Sequence, residues 1–183
     1  MRASIESQNT APNALDSSKS AEQTKPNALD TLQIRTMSIS DYDGVFELWR
    51  GIEGFYIRSV DDSREGIARF LARNPHTSVI ACIKRGKQEQ VIGSILCGHD
   101  GRYGSLYHVC VHRDYRKQGI GTQMVSRALE ALKKEHISSI SLIAFSENLI
   151  GNAFWKKQGW DSKPNANRYE FSLNRDNTST KIT

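Results

Sequence analysis

The stretch that decides the fold reads Val109-Cys-Val-His-Arg-Asp-Tyr-Arg-Lys-Gln-Gly-Ile-Gly-Thr122. An apolar run typical of a β-strand is followed by a charged turn, and two glycines then open an amphipathic helical pattern. The first amides of a helix have no partner within the helix, and the helix dipole makes them electropositive. Gly119 and Gly121 let an anion approach these amides closely, and Arg116 and Lys117 add positive charge. The pattern predicts an anion-binding loop, with a plain strand-to-helix turn as the alternative.

Two better-known glycine motifs do not fit this loop. The pair Gly119 and Gly121 has no third glycine at the dinucleotide-binding spacing, and no Gly-Lys-Ser/Thr sequence closes a P-loop. A nucleotide-dependent dehydrogenase or a nucleoside triphosphatase is therefore disfavoured.

The loop instead resembles that of an enzyme family. Residues 116–121, Arg-Lys-Gln-Gly-Ile-Gly, match the Arg/Gln-x-x-Gly-x-Gly/Ala loop of the GNAT superfamily of N-acetyltransferases. Residues 148–160, Asn-Leu-Ile-Gly-Asn-Ala-Phe-Trp-Lys-Lys-Gln-Gly-Trp, resemble the family's Asn-x-x-Ala-x-x-Phe-Tyr-x-x-x-Gly-Phe segment. The resemblance covers residues 32–173. It implies transfer of an acetyl group from acetyl-CoA, as acyl-donor cosubstrate, to a primary amine by direct attack in a ternary complex.

The resemblance also implies which residues bind the cofactor. In the family, two parallel strands splay apart to hold the pantetheine arm, and the glycine loop cradles the pyrophosphate. The implied cofactor-binding residues are Val109, Val111, Arg116, Lys117, Gln118, Gly119, Ile120, Gly121, Thr122, Asn148 and Trp155. Asn148 has a helix N-cap as its alternative role.

Trp155 departs from the family. Its position often carries a tyrosine that protonates the leaving thiolate, whereas an indole N–H does not give up its proton. The other role that the resemblance implies for this position, packing beside the cofactor, is still possible for Trp155. Another group or water serves as the acid, or none is needed because a CoA thiolate leaves tolerably well.

His108 is the candidate general base. It occupies the position at which the histone-acetylating branch of the family carries a glutamate base. Imidazole, with a reference pKa of about 6.5, can accept a proton near neutrality. Strand alternation predicts that His108 shares one side with Cys110 and His112, and that Tyr107, Val109 and Val111 share the other. A histidine that only packs or hydrogen-bonds is the alternative.

Other reactive side chains have structural interpretations as well. Cys110 could accept the acyl group, but a small buried hydrophobic residue is favoured. Glu53, Asp61 and Asp62 could hold a cationic amine, although solvated loop acids are favoured. The acceptor stays open among a small amine, an amino acid, an antibiotic, a peptide N-terminus and a lysine.

The hydrophobic pattern predicts the order of elements. Strands are expected over residues 32–37, 78–84, 91–98, 105–112, 139–145 and 168–173, and helices over 40–50, 62–71, 120–136 and 148–158. Ser40 is the expected cap of the first helix. Short connections make the first four strands antiparallel neighbours, and a helical crossover makes 139–145 parallel to 105–112. The fold class is α/β (α+β), a GNAT-like, mostly antiparallel sheet of six to seven strands with about four helices and a splayed parallel strand pair.

Composition narrows the remaining function classes. The 183 residues carry a net charge of +5, and the pI is about 9.2. No compact basic run indicates nucleic-acid binding, and binding of a polyphosphate cofactor explains part of the positive charge. No apolar run suits a membrane span or a signal peptide, so a cytoplasmic protein is expected. The three cysteines predict reduced thiols, and no metal-binding spacing occurs. A catalytically silent acetyl-CoA-binding regulatory module and a nucleic-acid binder are the alternative functions.

The chain is expected to divide into three parts. Residues 1–31 are predicted to form a disordered tail, residues 32–174 the acetyltransferase domain, and residues 175–183 a frayed end. The tail repeats the sequence Pro-Asn-Ala-Leu-Asp, which suggests a duplicated linker or a docking motif. Family members are often dimers, so the resemblance also implies a homodimer.

Overall fold

The computed structural model describes residues 31–183, which form seven strands and four α-helices. The strands are β1 (Thr31–Thr36), β2 (Tyr56–Arg58), β3 (Val79–Arg85), β4 (Gln88–His99), β5 (Gly104–Val111), β6 (Ile140–Leu142) and β7 (Ser179–Lys181). The helices are α1 (Tyr42–Arg50), α2 (Arg64–Arg73), α3 (Ile120–Lys134) and α4 (Leu149–Lys157). Two short 3-10 helices span Ile39–Asp41 and Arg113–Tyr115. None of these helices is long and apolar enough to span a membrane.

The main sheet has the strand order β1-β3-β4-β5-β6. Its first four strands pair in antiparallel fashion, and β5 pairs with β6 in parallel. This confirms the predicted mixed sheet with a parallel pair joined by the α3 crossover. The seven strands do not share one sheet, however, because β2 and β7 form a separate two-stranded ribbon.

The core lies on both faces of the main sheet. Along β3, Val79, Ala81 and Ile83 belong to the cluster that includes residues of α3, whereas Ile80 and Cys82 belong to the cluster that includes residues of α1 and α2. This alternation follows the period of a strand that is covered on both sides. All three cysteines are buried free thiols, as predicted.

The first helix does not begin where the sequence suggested. Ser40 lies inside the first 3-10 helix, which Ser38 caps in a capping box with Asp41. Asp41 is itself the N-cap of α1. The predicted cap at Ser40 is wrong because one 3-10 turn precedes the α-helix. Ser63 caps α2 by accepting the Gly66 amide at 3.1 Å.

The C-terminal region differs most from expectation. Residues 168–173, predicted to be a strand, form none. Their apolar side chains are exposed, at 88% for Tyr169, 89% for Phe171 and 94% for Leu173. The alternating apolar pattern was therefore not sufficient for strand formation without a neighbouring strand to pair with. Residues 179–181, expected to fray, pair instead with β2. Of the predicted tail only Thr31 is described, and the repeated motif lies outside the described residues. The three-part division stays a prediction.

Candidate active site

The loop between β5 and α3 has the backbone shape that its glycines allow. Lys117 and Gly119 have left-handed φ values of 62° and 78°, and Gly119 is the N-cap of α3. A left-handed conformation costs a residue with a Cβ about 1–2 kcal/mol, so glycine suits this position. The Gln123 amide donates to the Gly119 carbonyl at 3.1 Å. The amides of residues 120–122 therefore precede the first intrahelical bond, and this geometry suits an anion.

Two basic side chains stand at the same loop. The Nε atom of Arg116 donates to the Val111 carbonyl at 2.9 Å and ties the loop to the end of β5. Across residues 31–183, neither Lys117 nor the terminal nitrogens of Arg116 form an ion pair. Gln118 donates from its side chain to the Asp114 carbonyl at 3.4 Å. The two cations are therefore available to an anion at the start of α3.

Helix α4 packs against this helix start. A Cβ on Gly121 would lie 3.4 Å from the ring of Phe154 and 3.8 Å from Val111, so the glycine allows close packing. The hydroxyl of Thr122 accepts a hydrogen bond from the Gln158 side chain at 3.0 Å. The end of β5, the start of α3 and α4 thus meet at one place.

The two candidate residues of α4 have structural contacts. Trp155 is half-buried, with ring centroids 4.9 Å from Phe154 and 5.0 Å from Trp160. Asn148 caps α4, because its Oδ1 atom accepts the Gly151 amide at 2.9 Å. The alternative role of Asn148 as a cap is therefore present, and its side-chain nitrogen remains for another partner.

Strands β5 and β6 separate soon after they pair. Only Gly104–Leu106 and Ile140–Leu142 are in register, whereas β5 continues to Val111. Val109 and Val111 lie in this extension, with side chains packed against the α3-side cluster. Within residues 31–183, the edge of β5 beyond Leu106 does not pair with β6, so its polar main-chain groups need other partners. The Val111 carbonyl has one such partner in Nε of Arg116.

A β-bulge interrupts β5 at the candidate base. His108 and Val109 together oppose Ile95 of β4, and His108 has a left-handed φ of 49°. Such values are uncommon for residues other than glycine and often occur at functional sites. The extra residue shifts the alternation of side chains along the strand.

The bulge overturns part of the predicted alternation. Tyr107 contacts Phe70 of α2, with ring centroids 6.1 Å apart, on the side where Cys110 is buried. It therefore lies on the same side as His108, not opposite. His112 does not join them, because it lies past the end of β5 and caps the following 3-10 helix.

The imidazole of His108 lies in an aromatic corner. Its ring centroid is 4.5 Å from Trp49 of α1 and 4.9 Å from Phe55, and these two rings are 6.2 Å apart. The side chain remains 19% exposed. The ring is held on two sides and still open to solvent, as a proton acceptor requires.

Asp62 holds one nitrogen of this imidazole. Its Oδ1 atom lies 2.7 Å from Nε2 of His108, and Asp62 is only 5% exposed. The other oxygen accepts the Arg58 amide at 2.7 Å, and the Tyr42 hydroxyl donates to the Asp62 carbonyl at 2.9 Å. Asp62 is thus a buried carboxylate with a hydrogen-bond partner on each oxygen, and it lies beside the candidate base.

The sequence did not indicate this contact. Glu53 and Asp61 are exposed, as expected for loop acids, but that expectation is wrong for Asp62. Nothing distinguishes Asp62 from Asp61 in the sequence except its place just before the cap Ser63. The partnership of Asp62 with His108 arises only when the loop before α2 folds over β5.

Ser94 of β4 connects the aromatic corner to the bulge. Its hydroxyl accepts a hydrogen bond from the Trp49 indole at 2.8 Å and donates to the His108 carbonyl at 3.1 Å. Ser94 and Trp49 are both 0% exposed. Trp49 therefore contacts the ring of His108 directly and supports its main chain through Ser94.

Cys110 is poorly suited to nucleophilic chemistry. Burial raises the pKa of its thiol to about 11, despite hydrogen bonding to Ser94 that opposes the rise. At neutral pH the reactive thiolate is then on the order of one part in ten thousand. This favours the packing role. Within the described range, no three His, Cys, Asp or Glu side chains gather as a metal site.

The C-terminal residues of the chain pack against the loop that contains Phe55 and Asp62. We call residues 176–182 the C-terminal strap. The Oδ1 atom of Asn177 accepts the amides of Val60 and Asp61, each at 3.1 Å, and β7 of the strap pairs with β2. The loop beside His108 is therefore held from outside by residues far away in sequence.

Comparison with known proteins identifies the family. The model of the acetyltransferase (GNAT) family matches residues 42–160, a range that contains the loop, the bulge and Asp62. The chain belongs to the GNAT acetyltransferase family. It is an N-acetyltransferase that uses acetyl-CoA, which confirms the family prediction made from the motifs at 116–121 and 148–160.

Individual GNAT relatives agree with this assignment. An acetyltransferase of Sodalis glossinidius is 30% identical over 117 residues, which cover 64% of this chain and 78% of the relative. An acetyltransferase of Yersinia enterocolitica is 26% identical over 132 residues, covering 72% and 89%. Both relatives are matched over most of their own length.

Solved structures show the same fold. Ard1 from Thermoplasma volcanium has a TM-score of 0.58 at 18% identity, covering 70% of this chain and 81% of its own. The PaiA N-acetyltransferase from Thermoplasma acidophilum, solved with coenzyme A, has a TM-score of 0.57 at 20% identity, covering 70% and 88%. The mixed sheet with one parallel pair is thus a GNAT fold.

Proposed function

We propose that this GNAT protein transfers the acetyl group of acetyl-CoA to a primary amine by direct attack in a ternary complex, with His108 as the general base. The observation that carries the proposal is the setting of His108. It is a left-handed residue at the bulge of the splayed strand, with Nε2 2.7 Å from a buried carboxylate. A partly exposed imidazole held in this way suits proton transfer.

The proposed cofactor seat joins the glycine loop to the gap beside β5. The open amides of residues 120–122, with Arg116 and Lys117, suit the pyrophosphate. The main chain of Val109 and Val111 suits the amides of the pantetheine arm. The other proposed contacts are Gln118, Gly119, Ile120, Gly121, Thr122, Asn148 and Trp155. Bound acetyl-CoA supplies a thioester carbon as the electrophile.

The proposed reaction needs one proton acceptor from the protein. The neutral acceptor nitrogen bonds to the acetyl carbon as the carbon–sulfur bond breaks. The proton of that nitrogen passes to His108, directly or through water, while the electron pair of the broken bond leaves on sulfur. His108 then returns its proton to solvent, and the thiolate takes one from water. Trp155 is compatible with this scheme because no tyrosine acid is required.

The acceptor is a small molecule or a peptide, as in the family. A homodimer and a cytoplasmic location remain predictions from the sequence, and a nucleic-acid partner is not proposed. Sedimentation analysis of the purified protein checks the dimer.

The experiment is release of the CoA thiol from acetyl-CoA with a panel of amines, with mass spectrometry of the products. The substitution His108→Ala should lower kcat/KM by about 10²- to 10⁴-fold. It should also flatten the acidic limb of the pH profile, and the Kd for CoA should stay unchanged because the loop is intact.

The matched control is His76→Ala, which removes an exposed histidine between α2 and β3. It should leave kcat/KM within about two-fold of the wild type. Wild-type kinetics in the His108→Ala variant would rule out His108 as the base. Binding of acetyl-CoA without acetylation of any amine would favour the silent binding module instead.

A further inference from the structure

The contact between Asp62 and His108 favours a proton on Nε2 of the imidazole. An ionised carboxylate can only accept hydrogen bonds, and one oxygen of Asp62 already accepts the Arg58 amide. The other oxygen lies 2.7 Å from Nε2 of His108. Since the carboxylate accepts, this nitrogen must carry the proton of the hydrogen bond. In a neutral imidazole with Nε2–H, the lone pair is on Nδ1.

We infer that Asp62 is a positioning residue that holds His108 in the Nε2–H tautomer, so that Nδ1 accepts the proton of the attacking amine. The inference rests on the proposed role of His108 as the base. Asp62 contacts neither the acceptor nor acetyl-CoA in this scheme. It acts through the ring of His108, whose side chain remains 19% exposed to solvent.

The position of Asp62 is itself fixed by hydrogen bonds to its side chain and to its main chain. Its side chain accepts the Arg58 amide, and its carbonyl accepts the Tyr42 hydroxyl of α1 at 2.9 Å. A buried carboxylate is costly unless it is bonded in this way. Ser94 likewise holds the main chain of His108 through a hydrogen bond. Both members of the contact are therefore held in place by the surrounding fold.

The tautomer can be measured directly in the wild-type protein. Nitrogen-15 NMR of the histidine ring distinguishes a protonated Nε2 from a protonated Nδ1. The expected result for His108 above neutral pH is the Nε2–H form. A predominant Nδ1–H form would overturn the inference without any substitution.

The second arm is Asp62→Asn, which keeps the shape but removes the charge. Because an amide can donate as well as accept, the variant should show mixed tautomers of His108. Its kcat should fall about 10-fold or more, though less than in His108→Ala, with KM for the amine changed by less than about three-fold. Asp62→Glu, which restores a carboxylate, should recover part of kcat.

The controls separate this inference from the proposed function. Asp100→Asn makes the same change in the exposed turn after β4 and should behave as wild type. Unfolding temperature and Kd for CoA identify variants that simply fail to fold. If His108→Ala is inactive but Asp62→Asn keeps wild-type kcat and tautomer, the positioning role is wrong while the base survives. If His108→Ala is fully active, the proposed base itself fails.

Discussion

The glycine loop and the pocket around His108 are built in different ways. The loop is one continuous segment, residues 116–122, whose shape follows from two glycines and the start of a helix. The pocket gathers Trp49, Phe55, Asp62 and Ser94 around His108, and the C-terminal strap holds it from outside. The proposed cofactor seat and the proposed base are therefore held by separate parts of this GNAT domain.

The difference has a physical origin. A helix start carries its own unpaired amides and dipole, so a short segment suffices to attract an anion. A side-chain base has no such built-in partner. The ring of His108 must be oriented by neighbours that only the folded chain brings together. Substitutions in the two regions should consequently change different kinetic quantities.

The largest effect is expected from Gly121→Glu. A carboxylate at the start of α3 would repel the pyrophosphate and crowd the ring of Phe154, which lies 3.4 Å from the Cβ position. The Kd for CoA should rise about 100-fold or more. At saturating acetyl-CoA, kcat should largely recover because the pocket of His108 is untouched.

Ser126→Glu is the matched control for this change. It adds the same charge at an exposed position of α3 further from the helix start. Its Kd for CoA should stay within about two-fold of the wild type. Unchanged CoA affinity in a folded Gly121→Glu variant would contradict the assignment of the loop.

An intermediate effect is expected from Asn177→Ala in the C-terminal strap. The substitution removes hydrogen bonds to the amides of Val60 and Asp61, each worth about 1 kcal/mol, and loosens the loop that carries Asp62. Steady-state kinetics should show kcat/KM for the amine lower by about 3- to 10-fold, with the Kd for CoA unchanged.

Asn167→Ala removes an exposed asparagine outside the strap and should leave both quantities unchanged. A change of CoA affinity in Asn177→Ala would show that the two regions are coupled. Equal kinetics in the two variants would show that the strap does not support the pocket.

The smallest functional effect is expected from Arg35→Gln, because the hydrogen bonds and ion pairs of Arg35 involve neither region. Arg35 lies 2.7 Å from Asp41 and 2.6 Å from Glu89. Burial alone would raise the pKa of Asp41, but hydrogen bonds from Arg35 and Ser38 outweigh it and lower the pKa. The Arg35 hydrogen bond also lowers the pKa of Glu89.

Carboxyl groups with lowered pKa values stabilise the fold above their unfolded pKa, near 4, and this stabilisation is lost as the pH falls through the folded value. Arg35→Gln should therefore lower the free energy of unfolding by about 1–3 kcal/mol at pH 7, with the difference shrinking toward pH 3. Chemical denaturation at several pH values measures it. Arg73→Gln, at an exposed position, is the control. If Arg35→Gln selectively lost either CoA binding or kcat at pH 7, Arg35 would not be independent of the loop and of the pocket around His108.

Much of the GNAT fold could be predicted because it depends on local patterns. The 3.6-residue period placed α1 to α4, and short turns made the first four strands antiparallel. The ribbon of β2 and β7 was missed because residues 56–58 and 179–181 are short, and neither has a strand pattern of its own. The expected strand at 168–173 had the pattern but lacked a partner.

The candidate site divides in the same way. The sequence proposed the loop and His108 as site residues, and these stay predictions. It placed Tyr107 on the wrong side because the bulge residue reverses the alternation between the two parts of β5 that it separates. Asp62 was placed among solvated loop acids because two adjacent aspartates look alike in sequence. Burial of one and exposure of the other depends on the fold of the loop before α2.

The sequence by itself determined the family and the strand–loop–helix unit at 109–122, because glycines, charges and helix period act between near neighbours along the chain. Only the tertiary structure decided the setting of His108. Its partners Trp49 and Asp62 come from segments about fifty residues earlier, and no local preference encodes a contact over that separation. The carboxylate beside the proposed base is a property of the folded GNAT domain alone.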